Sequence, residues 1–138
     1  MKKQSISQIS EQIAAPLAAI ASPQRIAILL LIGKGEACVC HLEVVLGKRQ
    51  AYISQHLMAL RNANIITARR EGRFIYYRLA NPSLLTLIRD AGRITNVDIT
   101  PPSSTATCSC PNCADLRPGL IQLTTKENYA RTKATPAR

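Results

Sequence analysis

Gln50-Ala51-Tyr52-Ile53-Ser54-Gln55-His56-Leu57-Met58-Ala59-Leu60-Arg61-Asn62-Ala63 has one period, and the residues after it have another. Ile53, Leu57 and Leu60 recur at helical spacing, which buries one face and leaves Gln50, Ser54, Gln55, Arg61 and Asn62 outward. The helix is expected to stop at Asn64, a residue that tolerates the left-handed backbone many helix ends require. Residues 65–70 and 74–79 are then rich in β-branched and aromatic side chains, with Glu71-Gly72-Arg73 between them. That change of period predicts a β-hairpin directly after the helix.

On the N-terminal side, residues 40–46 read as a short helix closed by Gly47. Residues 7–21 carry Ile9, Ile13, Leu17 and Ile20 as an apolar stripe, and Pro16 within it predicts a kink or two short pieces. Ser22 and Pro23 form an N-cap and first-turn pair for a second helix, whose buried face is marked by Ile26, Leu29, Leu30 and Gly33. Gly33 or Gly35 ends it. Asn81-Pro82 repeats the starting signal and opens a helix to about residue 93, with Leu84, Leu85, Leu87, Ile88 and Ala91 apolar. The order helix, helix, short helix, turn, helix, hairpin, helix is that of a winged helix-turn-helix, mainly α with a small β-hairpin wing (α+β). It occupies residues 1–98. Residues 99–138 form a Cys-containing, Pro-rich tail that is expected to be flexible, most of all over its basic end from residue 126. There is no internal repeat.

The 138 residues suit one domain with tails, and 46% hydrophobic content is ample for a core. Aromatics are only 4%, so aliphatic helix packing is favoured over an aromatic pocket. A net charge of +10 and a pI near 9.9 point to a polyanionic partner. Between positions 48 and 78 the basic residues Lys48, Arg49, Arg61, Arg69, Arg70, Arg73 and Arg78 face Glu71 alone. A merely solvated surface would intersperse the signs. Lys2 and Lys3 are followed by polar sequence, not by the apolar run of a signal peptide, and residues 26–32 are too short to cross a bilayer. The expected location is the cytoplasm, with no membrane partner, and there five cysteines read as thiols or ligands before structural disulfides.

A helix-turn-helix sets its second helix in the major groove of double-stranded DNA. Gln50, Tyr52, Ser54 and Gln55 are the candidates to meet base edges, since Gln can contact adenine bidentately and Ser can serve either edge. Lys48 and Arg49 stand where phosphates pass, and Arg69, Arg70 and Arg73 of the wing could follow the backbone or the minor groove. His56, beside the buried Leu57, is expected to pack or hydrogen-bond within the motif. An enzyme is disfavoured: two histidines, no Ser/His/Asp arrangement, no Gly-rich phosphate loop and no spaced carboxylate pair.

The thiols fall in two groups, Cys38-Val39-Cys40-His41-Leu42 and Cys108-Ser109-Cys110-Pro111-Asn112-Cys113. Thiolates select soft ions, a trigonal site needs a third ligand beyond Cys38 and Cys40, and a tetrahedral one takes a fourth. Glu43 is a poor soft ligand, so Cys108, Cys110 and Cys113 are the expected completion. Ten residues separate Asp98 from Cys108, which extended reach at most about 33–36 Å. Residues two apart on a helix point about 200° apart. Cys38 and Cys40 must therefore lie before the helix, or binding must unwind its first turn. The competing readings are two small buried hydrophobes for Cys38 and Cys40, and for the tail trio a separate zinc knuckle, incidental thiols or an ion of its own.

The segment from about residue 18 to 93 resembles the arsenical-resistance repressor (ArsR/SmtB) family of bacterial metal sensors. The resemblance is carried by Ala21-Ser22-Pro23-Gln24-Arg25-Ile26, by Cys38-Val39-Cys40-His41-Leu42, by Ser54-Gln55-His56-Leu57-Met58-Ala59-Leu60 and by Arg70-Glu71-Gly72-Arg73-Phe74-Ile75-Tyr76-Tyr77-Arg78-Leu79. It implies a homodimeric repressor, paired through its first and last helices, that leaves operator DNA when metal binds. It also implies that tail cysteines can complete a site across the dimer, while the reach of the tail equally allows a site within one chain. Asn64 stands where the family usually has Gly. Glu43 replaces the third cysteine of the best-known arsenite sensors. Asn81, Ser83, Ile94 and Val97 stand at the interfacial zinc-ligand positions, so that zinc site is expected to be absent. The inducer implied is arsenite, As(III), first, with Cd, Pb or Sb(III) next and no organic cofactor. A thiol redox or persulfide sensor on the same DNA-binding frame is the alternative.

Overall fold

The computed structural model describes residues 3–99 together with 108, 110 and 111. Helix α1 (Ile6–Ile20) starts at a capping box: the Ser5 hydroxyl accepts from the Gln8 amide while the Gln8 side chain accepts from the Ser5 amide. It passes through Pro16 as one element instead of the two pieces that proline allowed. The carbonyl that Pro16 leaves without a partner belongs to Gln12, which is exposed and open to water.

Helix α2 (Pro23–Ile32) has Pro23 in its first turn and ends at Gly33. The Ser22 hydroxyl does not cap it, and donates instead to Gln24 Oε1 at 3.0 Å. Buried on α2 are Ile28, Leu29, Leu31 and Ile32, while Ile26 and Leu30 are half-buried. The face is wider than a single stripe because α2 is packed by α4, β3 and α5 at once. The Arg25 guanidinium reaches back to the Ala19 carbonyl at 2.8 Å and closes the end of α1.

A two-residue strand, β1 (Ala37–Cys38), leads into α3 (Val39–Leu46), which Gly47 terminates in the left-handed region (φ 61, ψ 34) that glycine adopts without a Cβ clash. Helix α4 (Gln50–Asn62) buries Ile53, Leu57 and Leu60, and Asn64 takes a positive φ of 58 beyond it. Strands β2 (Ile66–Glu71) and β3 (Phe74–Leu79) pair antiparallel across Gly72 and Arg73, and the sheet order is β1-β3-β2. Before α5 (Ser83–Ile94), the Asn81 side chain accepts from the Ser83 amide at 2.9 Å. After α5 the chain folds back over Gly92, with the Val97 amide donating to the Gly92 carbonyl at 2.9 Å. A Cβ on Gly92 would lie 3.1 Å from the Val97 carbonyl and 3.2 Å from Ile99, so a larger residue there would push the returning chain back by a few tenths of an ångström. Ile99 packs against the helical core.

Side chains alternate across a strand, so the register decides what each sheet face covers. Ile66 opposite Leu79, and Ala37 and Ala68 opposite Tyr77, turn toward the helices. Cys38 opposite Tyr76 and Arg69 opposite Tyr76 lie on the other face. Tyr76 is only 1% exposed, because a second small core of Cys38, Cys108 and Cys110 covers that face. Ile9, Ile13 and Leu17 of α1 and Leu87 and Ile94 of α5 remain exposed. No single helix among the described residues is long and apolar enough to cross a membrane.

Leu57 is 1% exposed at the centre of the helical core. Leu57→Ala is expected to destabilise the fold by about 2–5 kcal/mol, read as a lower urea midpoint with an unchanged slope.

Candidate metal centre and nucleic-acid interface

Cys38 stands at the junction of β1 and α3. Its backbone is extended (φ −88, ψ 161), it serves as the N-cap of α3, and its sulfur accepts from the His41 amide at 3.4 Å. Cys40 is inside α3, at its second position. Neither expected geometry is found for the pair as a whole: Cys38 alone precedes the helix, Cys40 stays in an intact first turn, and the extended backbone of Cys38 lets the two sulfurs converge at 3.1 Å. Cys110 brings its sulfur to 3.1 Å from that of Cys38, and Cys108 to 3.5 Å. All four sulfurs lie within 4.8 Å of one another in one chain. Cys38, Cys108 and Cys110 are buried and Cys40 is half-buried. Cys113 lies outside the described residues.

The donor set suits a thiophilic ion. Four thiolates about 2.3 Å from a tetrahedral zinc-like ion sit about 3.8 Å apart, and the observed separations of 3.1 to 4.8 Å bracket that edge. Three of the four would serve a trigonal ion. Burial raises the Cys40 thiol to about 11, with the neighbouring Cys38 adding to the rise while a hydrogen bond with Cys108 opposes it. Cys40 therefore holds its proton at neutral pH until a cation offsets the thiolate charge.

Tyr76 forms the floor of the cluster. Its hydroxyl is buried among the sulfurs, with Cys110 as its neighbour, and Phe74 packs alongside. Burial first, and then negative charge on Cys110 and Cys38, push the phenol up to about 12. Sequence reasoning passed over this residue. The signal was available: Tyr76 falls on the strand face opposite Leu79 and Tyr77, where a buried aromatic needs a cover.

On the side of the expected DNA contacts, Lys48, Arg49, Gln50 and Gln55 are exposed at the start of α4 and along it, and Ser54 is half-buried. Tyr52 is half-buried, edge-on to His56 with ring centroids 4.7 Å apart and with the Lys48 ammonium 5.6 Å from its own centroid. His56 thus packs within the helix. At the wing, Arg70 and Arg73 are exposed, Arg70 donating to the Gly72 carbonyl at 3.3 Å and Arg73 lying over Phe74 at 5.2 Å. Arg69 differs. Its guanidinium donates to both Glu36 oxygens at 3.0 and 3.1 Å and to Glu71 at 2.7 Å, so its charge is matched within the protein. Glu36, thirty-three residues away in sequence, is the second residue that sequence reasoning did not single out.

A family model described as "Bacterial regulatory protein, arsR family" matches residues 22–68. The homodimeric winged helix-turn-helix DNA-binding domain Mb0332 of Mycobacterium bovis superposes with a TM-score of 0.59 at 30% identity, covering 70% of this chain and 91% of that domain. The chain belongs to the arsR family. This is a family of regulatory proteins, not of enzymes. The HTH-type transcriptional repressor SmtB of Mycobacterium tuberculosis is 41% identical over 75 residues, 54% of this chain and 56% of that one. The arsenic resistance transcriptional regulator ArsR2 of Pseudomonas putida is 41% identical over 69 residues, 50% of this chain and 59% of that one. The chain thus spans just over half the length of these two curated relatives. The arsR segment holds Cys38, Cys40 and all of α4, and stops well before Cys108 and Cys110.

The folded chain keeps the Tyr76 proton to higher pH than the unfolded chain does. Its contribution to stability is therefore whole below the ordinary phenol value of 10.0 and is lost as the pH rises through about 12. A phenolate absorbance titration should show a component near that upper value which Tyr76→Phe removes. Ionisation of Tyr76 at the ordinary value would contradict its burial.

Proposed function

We propose that this chain is a transcriptional repressor that binds operator DNA as a homodimer and leaves it when a thiophilic metal or metalloid is captured by Cys38, Cys40, Cys108 and Cys110. Cys113 is proposed as a further ligand. The observation that carries this reading is the convergence of four sulfurs, within 4.8 Å of one another, on the N-cap of the helix that packs against α4. Cys38 is at once a ligand candidate and the residue that sets where α3 begins. Gathering the sulfurs around one ion constrains that cap, and α3 passes the constraint to α4. An effector shifts such an equilibrium only by its differential affinity for the two states.

On DNA, Gln50, Tyr52, Ser54 and Gln55 are proposed to meet base edges, and Lys48, Arg49, Arg70 and Arg73 to meet phosphates. Residues 1–98 would carry DNA binding and dimerisation, and the tail would supply ligands. The exposed apolar faces of α1 and α5 support pairing through those helices, and the related Mb0332 is homodimeric. The cytoplasm is the proposed location.

Arsenite is proposed as the inducer, since three sulfurs suffice for it and a 41% identical relative is an arsenic resistance regulator. One observation favours a second reading. The fourth sulfur completes a tetrahedral thiolate set, which suits a soft ion with a filled d shell such as cadmium.

Operator binding followed by fluorescence anisotropy tests the proposal, with arsenite, cadmium, lead and zinc added singly in reducing buffer. The wild-type chain should lose affinity about 5- to 150-fold with the right ion, and Cys38→Ser should lose none. Arsenite release that survives Cys108→Ser favours the three-sulfur ion, whereas cadmium release abolished by it favours the four-sulfur one. A response retained without Cys38 and Cys110, or no operator binding at all, overturns the reading. Separately, Gln55→Ala should weaken specific binding by about 1–3 kcal/mol, while Arg73→Ala should reduce the salt slope by about 1.

A further inference from the structure

The sulfur cluster adjoins two elements that lead to DNA, and only one of them is α3. Cys38 also pairs with Tyr76 of the wing strand β3, and Tyr76 faces Arg69 across the β2–β3 ladder. The Arg69 guanidinium lies 4.8 Å from the Tyr76 ring centroid. Glu36, two residues ahead of Cys38, grips the same guanidinium through both carboxylate oxygens, and Glu71 holds it from within β2. The contacts close a loop: Cys38 to Tyr76 by strand pairing, Tyr76 to Arg69 by stacking, Arg69 to Glu36 by a bidentate pair, and Glu36 to Cys38 along the chain. Arg70, Arg73 and Arg78 have no carboxylate within salt-bridge distance among the described residues.

We infer that Arg69 is a positioning residue that ties the wing to the sulfur site, and not a phosphate contact. The inference rests on reading the cluster as an inducer site. One guanidinium between two carboxylates carries a local net charge of −1, which repels a phosphate instead of drawing it in. The pairs are partly exposed and individually weak. Their value is orientation, because the planar fork and the stacked ring fix the guanidinium in a way a lysine cannot copy. Any movement of Cys38 that accompanies ligation therefore reaches the β2–β3 hairpin directly, without passing through α4.

The test uses the full chain with Arg69→Lys, Arg69→Gln and Glu36→Gln, and with cadmium(II) and arsenite each added alone. Cadmium binding is followed by thiolate-to-metal absorbance, and DNA binding by anisotropy at several salt concentrations. All three variants should bind cadmium with the wild-type absorbance, and Arg69→Gln should leave the salt slope of metal-free DNA binding unchanged. In Arg69→Lys and Glu36→Gln, the ion-induced loss of DNA affinity should shrink at least about fivefold, a sizeable part of a typical allosteric coupling. A phosphate contact gives the opposite pattern: Lys substitutes for Arg, Glu36→Gln is silent on release, and Arg69→Gln lowers the slope by about 1. A wild-type chain that releases DNA while Arg69→Lys and Glu36→Gln release it equally overturns this inference alone. A wild-type chain that keeps its DNA in both ions overturns the inducer reading, and this inference with it.

Discussion

The pairing of Cys38 with Tyr76 joins three things that sequence keeps far apart: the strand that enters α3, the wing, and the thiols beyond α5. Because β1 is held to β3 at that point, Cys38 has an extended backbone and can cap α3 instead of belonging to it. An extended cap and a helical second position aim two sulfurs, two residues apart, at one place. Inside a continuous helix they would point apart. The convergence of Cys38 and Cys40 is thus a consequence of strand pairing, and the buried Cys108 and Cys110 close over the same spot.

The same register gives the sheet two different jobs. Its inner face adds Ile66 and Leu79 to a core built from Ile28, Leu29, Ile32, Leu42, Ile53, Leu57 and Leu60. Its outer face, which in a wing could be left to water, is roofed by sulfur and floored by Tyr76. The Tyr76 phenol and the Cys40 thiol there are held in their neutral forms chiefly by desolvation. They gain little from one another as weak hydrogen-bonding groups. Such a core stabilises the fold less than an aliphatic one of equal size, and it is open to change by anything that replaces its protons.

Much of this was legible in the sequence. Residues 50–63 and the hairpin announced themselves because a helix of three turns and strands of six residues show their period. The ligand candidates Cys38, Cys40, Cys108 and Cys110 were legible as residue types, and their convergence was not. A two-residue strand carries no period, so β1 was invisible, and with it the reason Cys38 precedes the helix. Pro16 suggested a break that an exposed helix does not need, since water can take the freed carbonyl. The pair between Arg69 and Glu36 joins surface charges thirty-three residues apart, which a reading of Arg69 from its place on the wing does not reveal. The breadth of the buried face on α2 likewise followed from its three neighbours, which no local pattern encodes.

The sulfur chamber and the aliphatic core lie on opposite sides of one thin sheet and share almost no side chains. Side chains on the outer side can consequently be exchanged without reopening the aliphatic packing beneath. Histidines or carboxylates placed at the cysteine positions other than Cys38, which caps α3, would retune the chamber toward harder cations while the aliphatic packing of the helices is kept.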